Sequence, residues 1–399
     1  MLDDRTPVRQ AQSSERKAQQ NRRTPSAEES EVLYQPGAHV RLGMSFNAPV
    51  VAPPERPLSI PPRRKQTGDY KPAWWVPGRH WHTLWSRLFR RLPVVPTERL
   101  QWQAPDGESL EIHRVAAAAD APRILLLHGL EGSWRSHYVA GVLDLVRARG
   151  WGADLLTFRG CGDLPNTARR FYHSGETSDL DFVLGRIVEE FPRAPVGIAG
   201  YSLGGNVLLK YLGERGDEVP RSVFAAAAVS VPYDLEAGAR YLSAGFSRIY
   251  DRHFLKSLRR KALAKLERYP DLFERAPLER ANTIFDFDNA VTAPVHGFND
   301  AVDYYARSSS RHFLERIRVP TLLLSSHDDP FLPSSVLAEI ESVASRNPWI
   351  ETEFTERGGH VGFVDGRVPW RPRYYAEWRV INQLARAFDA RGDRTVRIS

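Results

Sequence analysis

Apolar and polar positions fall along the chain in blocks, and two periods take turns. "RILLLHG" (123–129) is an unbroken apolar run that reads as a buried strand. Tyr138, Val142, Leu145 and Val146 follow at helical spacing. "ADLLTFRG" reads as the next strand, and Leu180, Phe182, Val183, Ile187 and Phe191 as the next helix. "PVGIAGYS" is another strand, with Val207, Leu208, Tyr211 and Leu212 opening a helix after it, and "SVFAAAAVSV" is one more. Ahead of them all, "SLEIHRV" (109–115) reads as a strand with partial alternation. Strands and helices taking turns in this way predict an α/β chain with a mostly parallel sheet covered on both faces.

The alternation stops near Pro232. Residues 234–312 read as helix after helix, through "LEAGARYLSAGFSRIY", "HFLKSLRRKALAKLERY" and "FNDAVDYYARSS". Strands resume with "PTLLLSS" (320–326) and "WIETEFTE" (349–356), and a last amphipathic helix carries Tyr374, Trp378, Ile381 and Phe388. The expected organisation is a core in two parts, 71–233 and 313–391, with a helical cap insertion at 234–312 between them and a tail at 392–399. Residues 1–70 differ from the rest. They are polar and then proline-rich ("APVVAPPERPLSIPPRRK"), too poor in apolar surface to offset their ordering entropy, and read as a disordered extension. Met44 is the only methionine after Met1 and a candidate for the true start.

"WWVPGRHWHTLWSRLFRR" (Trp74 to Arg91) is aromatic and basic. Trp81, Trp85, Leu88 and Phe89 share one helical face. The favoured reading is an N-terminal helix packed on the main domain, because the stretch is short and bracketed by prolines. The other is a weak contact with a membrane surface.

Composition narrows the classes. At 399 residues, with 42% hydrophobic and 26% charged positions, the chain fits one large globular α/β domain with extras, or two domains. The net charge of +7 and a pI of about 9.5 fit a basic tail, and no nucleic-acid signature accompanies them, so no nucleic-acid partner is expected. Cys161 is the only cysteine, which excludes an internal disulfide or a multi-cysteine zinc site. No stretch approaches the ~18–20 apolar residues of a spanning helix, and no secretory signal is visible, so the chain reads as cytoplasmic.

Three stretches carry chemistry. Gly200-Tyr201-Ser202-Leu203-Gly204 is a G-x-S-x-G sequence between an apolar strand and an amphipathic helix. A serine at such a sharp turn is held in strained backbone, and bulky neighbours two residues away would clash. A serine needs a base and the base an orienting acid. "SSHDDPFLP" offers Asp328 and Asp329 after a strand. Asp329, followed by Pro-Phe-Leu-Pro, is preferred. "TERGGHVGF" offers His360, presented by Gly358 and Gly359. His128, in "LLLHGLEGS", reads as structural, in a loop whose Leu130 N–H would join that of Leu203 as an oxyanion-hole donor. Cys161 reads as a packed or loop thiol with no basic partner nearby. His80 and His82 make a poor chelate without a third ligand. No metal and no cofactor are expected.

Together "LLLHGLEGS", "RGCGDLPNTARRFYHSGETSDL", "GYSLGGNVLLKYLGE", "VPYDLEAGARYL" and "DDPFLP" resemble the YheT-like α/β-hydrolases, bacterial esterases akin to eukaryotic enzymes acting on medium-chain esters and phospholipids. The resemblance runs from about Lys71 to about Arg391. It implies an α/β-hydrolase fold, with Ser202 as nucleophile, His360 as base and an aspartate of the "DDPF" pair as the third member. The expected activity is hydrolysis of short- to medium-chain or lipid-like carboxylic esters. The alternatives are acyl transfer by the same residues, or a catalytically silent binding protein on this fold. Phe285, Phe287, Tyr304 and Tyr305 are candidates to line an acyl pocket. The oligomeric state is left open.

Overall fold

A computed structural model of the chain describes residues 70–395, with side chains through residue 390. The proline-rich extension and Met44 lie outside the described residues. The strands are β1 (Glu98–Gln103), β2 (Ser109–Val115), β3 (Arg123–Leu127), β4 (Gly152–Thr157), β5 (Val196–Tyr201), β6 (Val223–Val229), β7 (Thr321–Ser326) and β8 (Ile350–Thr355). They form one sheet in the order β1-β2-β4-β3-β5-β6-β7-β8. β1 and β2 pair antiparallel, as do β2 and β4, and every later pair is parallel. A second pairing joins two-residue strands, β9 (Val364–Asp365) and β10 (Arg373–Tyr374).

The helices are α1 (Gly78–Phe89), α2 (His137–Ala148), α3 (Ser178–Glu190), α4 (Leu203–Arg215), α5 (Leu235–Leu242), α6 (Arg248–Arg268), α7 (Arg275–Arg280), α8 (Ile284–Phe287), α9 (Ala293–His296), α10 (Ala301–Ser308), α11 (Ser334–Arg346) and α12 (Tyr375–Thr395). α12 therefore continues past residue 391. The central strands are apolar throughout because both faces are covered. Along β3, Ile124 and Leu126 join a core with Val142 and Val146 of α2 and Val380 and Leu384 of α12. Leu125 and Leu127 point the other way, into a core with Leu180 of α3, Val207 of α4 and Val336 of α11.

β2 lies between β1 and β4 and buries polar residues that find partners there. Arg114 pairs with Asp154 at 2.6 Å, and the ring of His113 lies 2.7 Å from Glu111. β1 itself, "ERLQWQ", buries only Trp102 fully and leaves Glu98 and Arg99 in solvent, an edge that repels further strand pairing.

Six helices, α5 to α10, run between β6 and β7 and build apolar clusters of their own. Leu255, Ala262 and Leu266 of α6 meet Leu278, Phe287 and Val291, while Leu235 and Ala239 of α5 meet Tyr304 and Tyr305 of α10. Burial pushes Asp288 up to about 6, against hydrogen bonds that Thr292 and Tyr305 donate to it at 2.6 and 2.7 Å.

α1 packs on the sheet domain mainly with the face opposite to the expected one, although Trp85 of the expected face is half-buried against Trp75. His82, Thr83 and Ser86 are buried, while Trp81, Leu88 and Phe89 are exposed. Thr83 explains part of this: its Oγ1 accepts from the His360 amide at 2.9 Å, so α1 lies directly on the loop that carries His360.

Candidate active site

Ser202 stands between the end of β5 and the start of α4 with φ +53° and ψ −121°, a conformation rare for any L-residue. Its amide donates to the Val229 carbonyl at 2.8 Å, which ties the turn to the neighbouring strand. The turn has no room for side chains beside the serine. A Cβ on Gly200 would sit 2.5 Å from the Gly204 carbonyl oxygen, and one on Gly204 would sit 2.4 Å from the His128 carbonyl oxygen.

Asp329 follows β7 and His360 follows β8, so parallel neighbours deliver both to the same sheet edge as Ser202. His360 Nε2 lies 2.9 Å from Ser202 Oγ, and His360 Nδ1 lies 2.9 Å from Asp329 Oδ2. The aspartate and histidine are buried and the serine is half-buried. Asp329 Oδ1 also accepts from the Phe331 amide at 2.8 Å. The Phe331 ring stacks on the imidazole, with centroids 4.0 Å apart and planes at 17°. Asp328 faces elsewhere: its Oδ1 accepts from the amides of Gly358 and Gly359, each at 2.9 Å. One aspartate of the pair thus touches the histidine ring, and the other holds the loop that carries it.

His128 is fully buried, and burial pushes it down to about 4, so it is neutral. Its Nε2 accepts from the Phe158 amide at 3.0 Å, which leaves the proton on Nδ1 to be donated to the Gly129 carbonyl at 2.7 Å. That carbonyl also accepts from the Gly132 amide at 2.9 Å. A trans peptide sets its N–H opposite its carbonyl, so the Leu130 amide points away from His128. Leu130, Leu203 and Ser202 line the same cavity. Neither the Leu130 nor the Leu203 amide donates to another group among the described residues.

The cavity measures about 1370 Å³ and takes in Ser202, Asp329 and His360. Phe287, Tyr304 and Tyr305 line it as expected, but Phe285 does not; its ring packs against Tyr305 and Arg240 instead. Tyr250, Phe254 and Phe331 line it as well.

Sequence reasoning missed the bolt between the Leu130 loop and α6. Glu131 has φ +54°. Lys261 lies 2.7 Å from its Oε1, Tyr172 donates to the same oxygen at 2.8 Å, and Ser257 donates to Oε2. Burial raises the Glu131 carboxyl, but Lys261, Ser257 and Tyr172 outweigh it and leave it below its ordinary range. The only hint in the sequence is an acid inside the otherwise apolar "LLLHGLEGS" stretch. Cys161 does have a basic neighbour, contrary to expectation: Lys261 Nζ is 3.5 Å from its Sγ. Burial still pushes the thiol up to about 11, so it is no nucleophile near neutral pH.

The family described as alpha/beta hydrolase fold matches residues 122–367, more than half of the chain. The chain belongs to the α/β-hydrolase family. Within this family of hydrolases it is 38% identical over 317 residues to YheT of Escherichia coli (strain K12), named as a proposed esterase, covering 78% of this chain and 92% of that one. It is 31% identical over 288 residues to a monoacylglycerol lipase of Saccharomyces cerevisiae, covering 70% of this chain and 61% of the yeast protein. Among solved structures, a Pyrococcus furiosus esterase, Pf2001, shares the fold with a TM-score of 0.50 at 18% identity, covering 73% of this chain and 91% of its own. No helix among the described residues of this α/β-hydrolase is long and apolar enough to cross a membrane.

Proposed function

We propose that this chain is a serine carboxylesterase in which Ser202 is the nucleophile, His360 the general base and Asp329 the group that orients it. The observation that carries the reading is the hydrogen-bonded relay, with Ser202 Oγ to His360 Nε2 at 2.9 Å and His360 Nδ1 to Asp329 at 2.9 Å. Asp329 accepts a hydrogen bond from Nδ1–H, which keeps the ring proton there, so the lone pair of Nε2 is free to take the serine proton. Ser202 Oγ then attacks the ester carbonyl carbon. The oxyanion is received by the Leu130 and Leu203 amides, helped by the positive N-terminal end of α4. Collapse expels the alcohol, which leaves with the proton from Nε2, and an acyl-enzyme remains. Water loses its proton to Nε2 as it attacks the acyl carbon; the bond from that carbon to Ser202 Oγ then breaks, Nε2 returns the proton to Oγ, and the acid leaves.

The substrate reading is a short- to medium-chain or lipid-like ester. A cavity of about 1370 Å³ bordered by Phe254, Phe287 and Phe331 supports it, having room and apolar contact for an acyl chain. The name of the yeast relative points the same way. A series of p-nitrophenyl esters checks this: kcat/KM is expected to rise beyond acetate, and a maximum at acetate would contradict the acyl-pocket reading. Product analysis with added alcohol separates hydrolysis from acyl transfer. Ester formation outpacing hydrolysis would replace water with an alcohol as the acceptor.

A further inference from the structure

α1 is apolar on the outside. Trp81, Leu84, Trp85 and Leu88 recur at i, i+3, i+4 and i+7, the stripe that a surface helix ordinarily turns to the core. Here half of the stripe faces solvent, while Leu84 and Trp85 are half-buried, Trp85 against Trp75. Trp81, Leu88 and Phe89 are 46%, 56% and 57% exposed, while the polar His82, Thr83 and Ser86 are buried. The inversion has a local cause. α1 lies so close to the His360 loop that a Cβ on Gly362 would come within 2.0 Å of the His82 carbonyl oxygen. A Cβ on Gly359 would come within 2.5 Å of the Arg79 carbonyl oxygen. Large apolar side chains do not fit in that seam, so they are left on the other side.

The exposed stripe does not end with α1. The His80 ring lies 4.4 Å from that of Phe246 in the turn before α6, and Phe246 and Ile249, in the first turn of α6, are 55% and 57% exposed. Both elements border the cavity that holds Ser202: Leu84 and Arg87 line it from α1, and Tyr250 and His253 from α6.

Charge selects the occupant. No acidic residue occurs from Lys71 to Thr97, a stretch that carries Arg79, Arg87, Arg90 and Arg91; Arg90 is paired with Glu377, and Arg87 and Arg91 are exposed. On α6, Lys256 and Arg260 are exposed and line the cavity. A second copy docked face to face about a two-fold axis would set these arginines against their own kind. An anionic lipid surface instead offers opposite charge at its headgroups and an apolar bed for tryptophan, leucine and phenylalanine.

We propose that α1 and the start of α6 form a docking face for an anionic phospholipid bilayer, which seats the α1 and α6 border of the Ser202 cavity on the lipid. The docking stands on the exposed face alone. Its use, a short path for a lipid ester from bilayer to Ser202, rests on the function proposed above.

The test is co-sedimentation of the full-length chain with vesicles of phosphatidylglycerol and phosphatidylcholine mixed, or of phosphatidylcholine alone, at low and high salt. The triple variant Trp81→Gln, Leu88→Gln, Phe89→Gln runs beside it. Wild type is expected to bind the anionic vesicles more tightly than the zwitterionic ones and to weaken with salt. The variant is expected to lose roughly tenfold or more of the partition coefficient while turning over a water-soluble p-nitrophenyl ester as before. Equal binding to both vesicle types overturns the proposal. So does a variant that binds like wild type, or a solution dimer that the variant dissolves. If the triple variant does not fold, Leu88→Cys carrying an environment-sensitive dye replaces it. A blue shift on anionic vesicles supports docking, and unchanged emission refutes it. Vesicle binding without any ester hydrolysis would sink the proposed function and leave the docking face standing.

Discussion

Ser202→Ala is expected to lower ester turnover by roughly 10⁴- to 10⁶-fold, with substrate binding little changed. The loss follows from the geometry. The alanine removes the hydroxyl that lies 2.9 Å from His360 Nε2, so no acyl-enzyme forms. What survives is expected to come from the proposed oxyanion donors, the Leu130 and Leu203 amides, and from the cavity, acting on direct attack by water. The strained backbone at φ +53° belongs to the turn and not to the hydroxyl, so the variant is expected to fold. Steady-state kcat on a p-nitrophenyl ester, with protein free of wild-type carry-over, checks it. Retention of most activity would reject Ser202 as nucleophile.

Asp329→Asn is expected to cost about 10⁴-fold in kcat, far more than Asp328→Asn. Two neighbours compete for the side chain at position 329. The Phe331 amide donates to Oδ1 at 2.8 Å, and His360 Nδ1 faces Oδ2 at 2.9 Å. An asparagine has one acceptor oxygen. With that oxygen on the Phe331 amide, its NH₂ faces Nδ1 and moves the ring proton to Nε2, where it can no longer take the proton of Ser202. At position 328 an asparagine oxygen can still accept from the Gly358 and Gly359 amides that now bond Asp328 Oδ1 at 2.9 Å each. Its loss is therefore confined to a looser His360 loop. Measuring kcat for both variants against pH separates the roles, and a larger loss at Asp328 would overturn the assignment.

Particular residues show what the sequence made legible. β3 to β7 are visible because strands covered on both faces become apolar runs bounded by turns. β1 escapes because an edge strand needs little to bury, and "ERLQWQ" buries only Trp102 fully. β9 and β10 escape because two residues carry no period. α1 is legible as a helix but not in its orientation. Its period marks which side chains share a face, while the side that packs is decided by Gly359 and Gly362, more than 270 positions away.

At the site, the order of the serine, aspartate and histidine stretches singles out residues that the fold brings within hydrogen-bonding distance. Both aspartates follow β7; the Pro-Phe-Leu-Pro after Asp329 made it the preferred one, and the loop turns Asp329 to His360 and Asp328 to the Gly358 and Gly359 amides. Glu131 with Lys261, 130 positions apart, is a pairing that only the packing of α6 over the Leu130 loop creates. Phe331 sat in plain view within "DDPFLP", but its stacking on His360 depends on a loop geometry that spacing does not reveal.

The central claim is that Ser202 is an activated nucleophile. The most direct measurement is mass spectrometry of the full-length chain after exposure to a fluorophosphonate, which reacts with a serine only when a base draws off its proton. The expected result is one adduct per chain, located on Ser202, absent in Ser202→Ala and formed much more slowly in His360→Ala. No adduct under conditions that label a known serine esterase, or an adduct on any residue other than Ser202, would contradict the account.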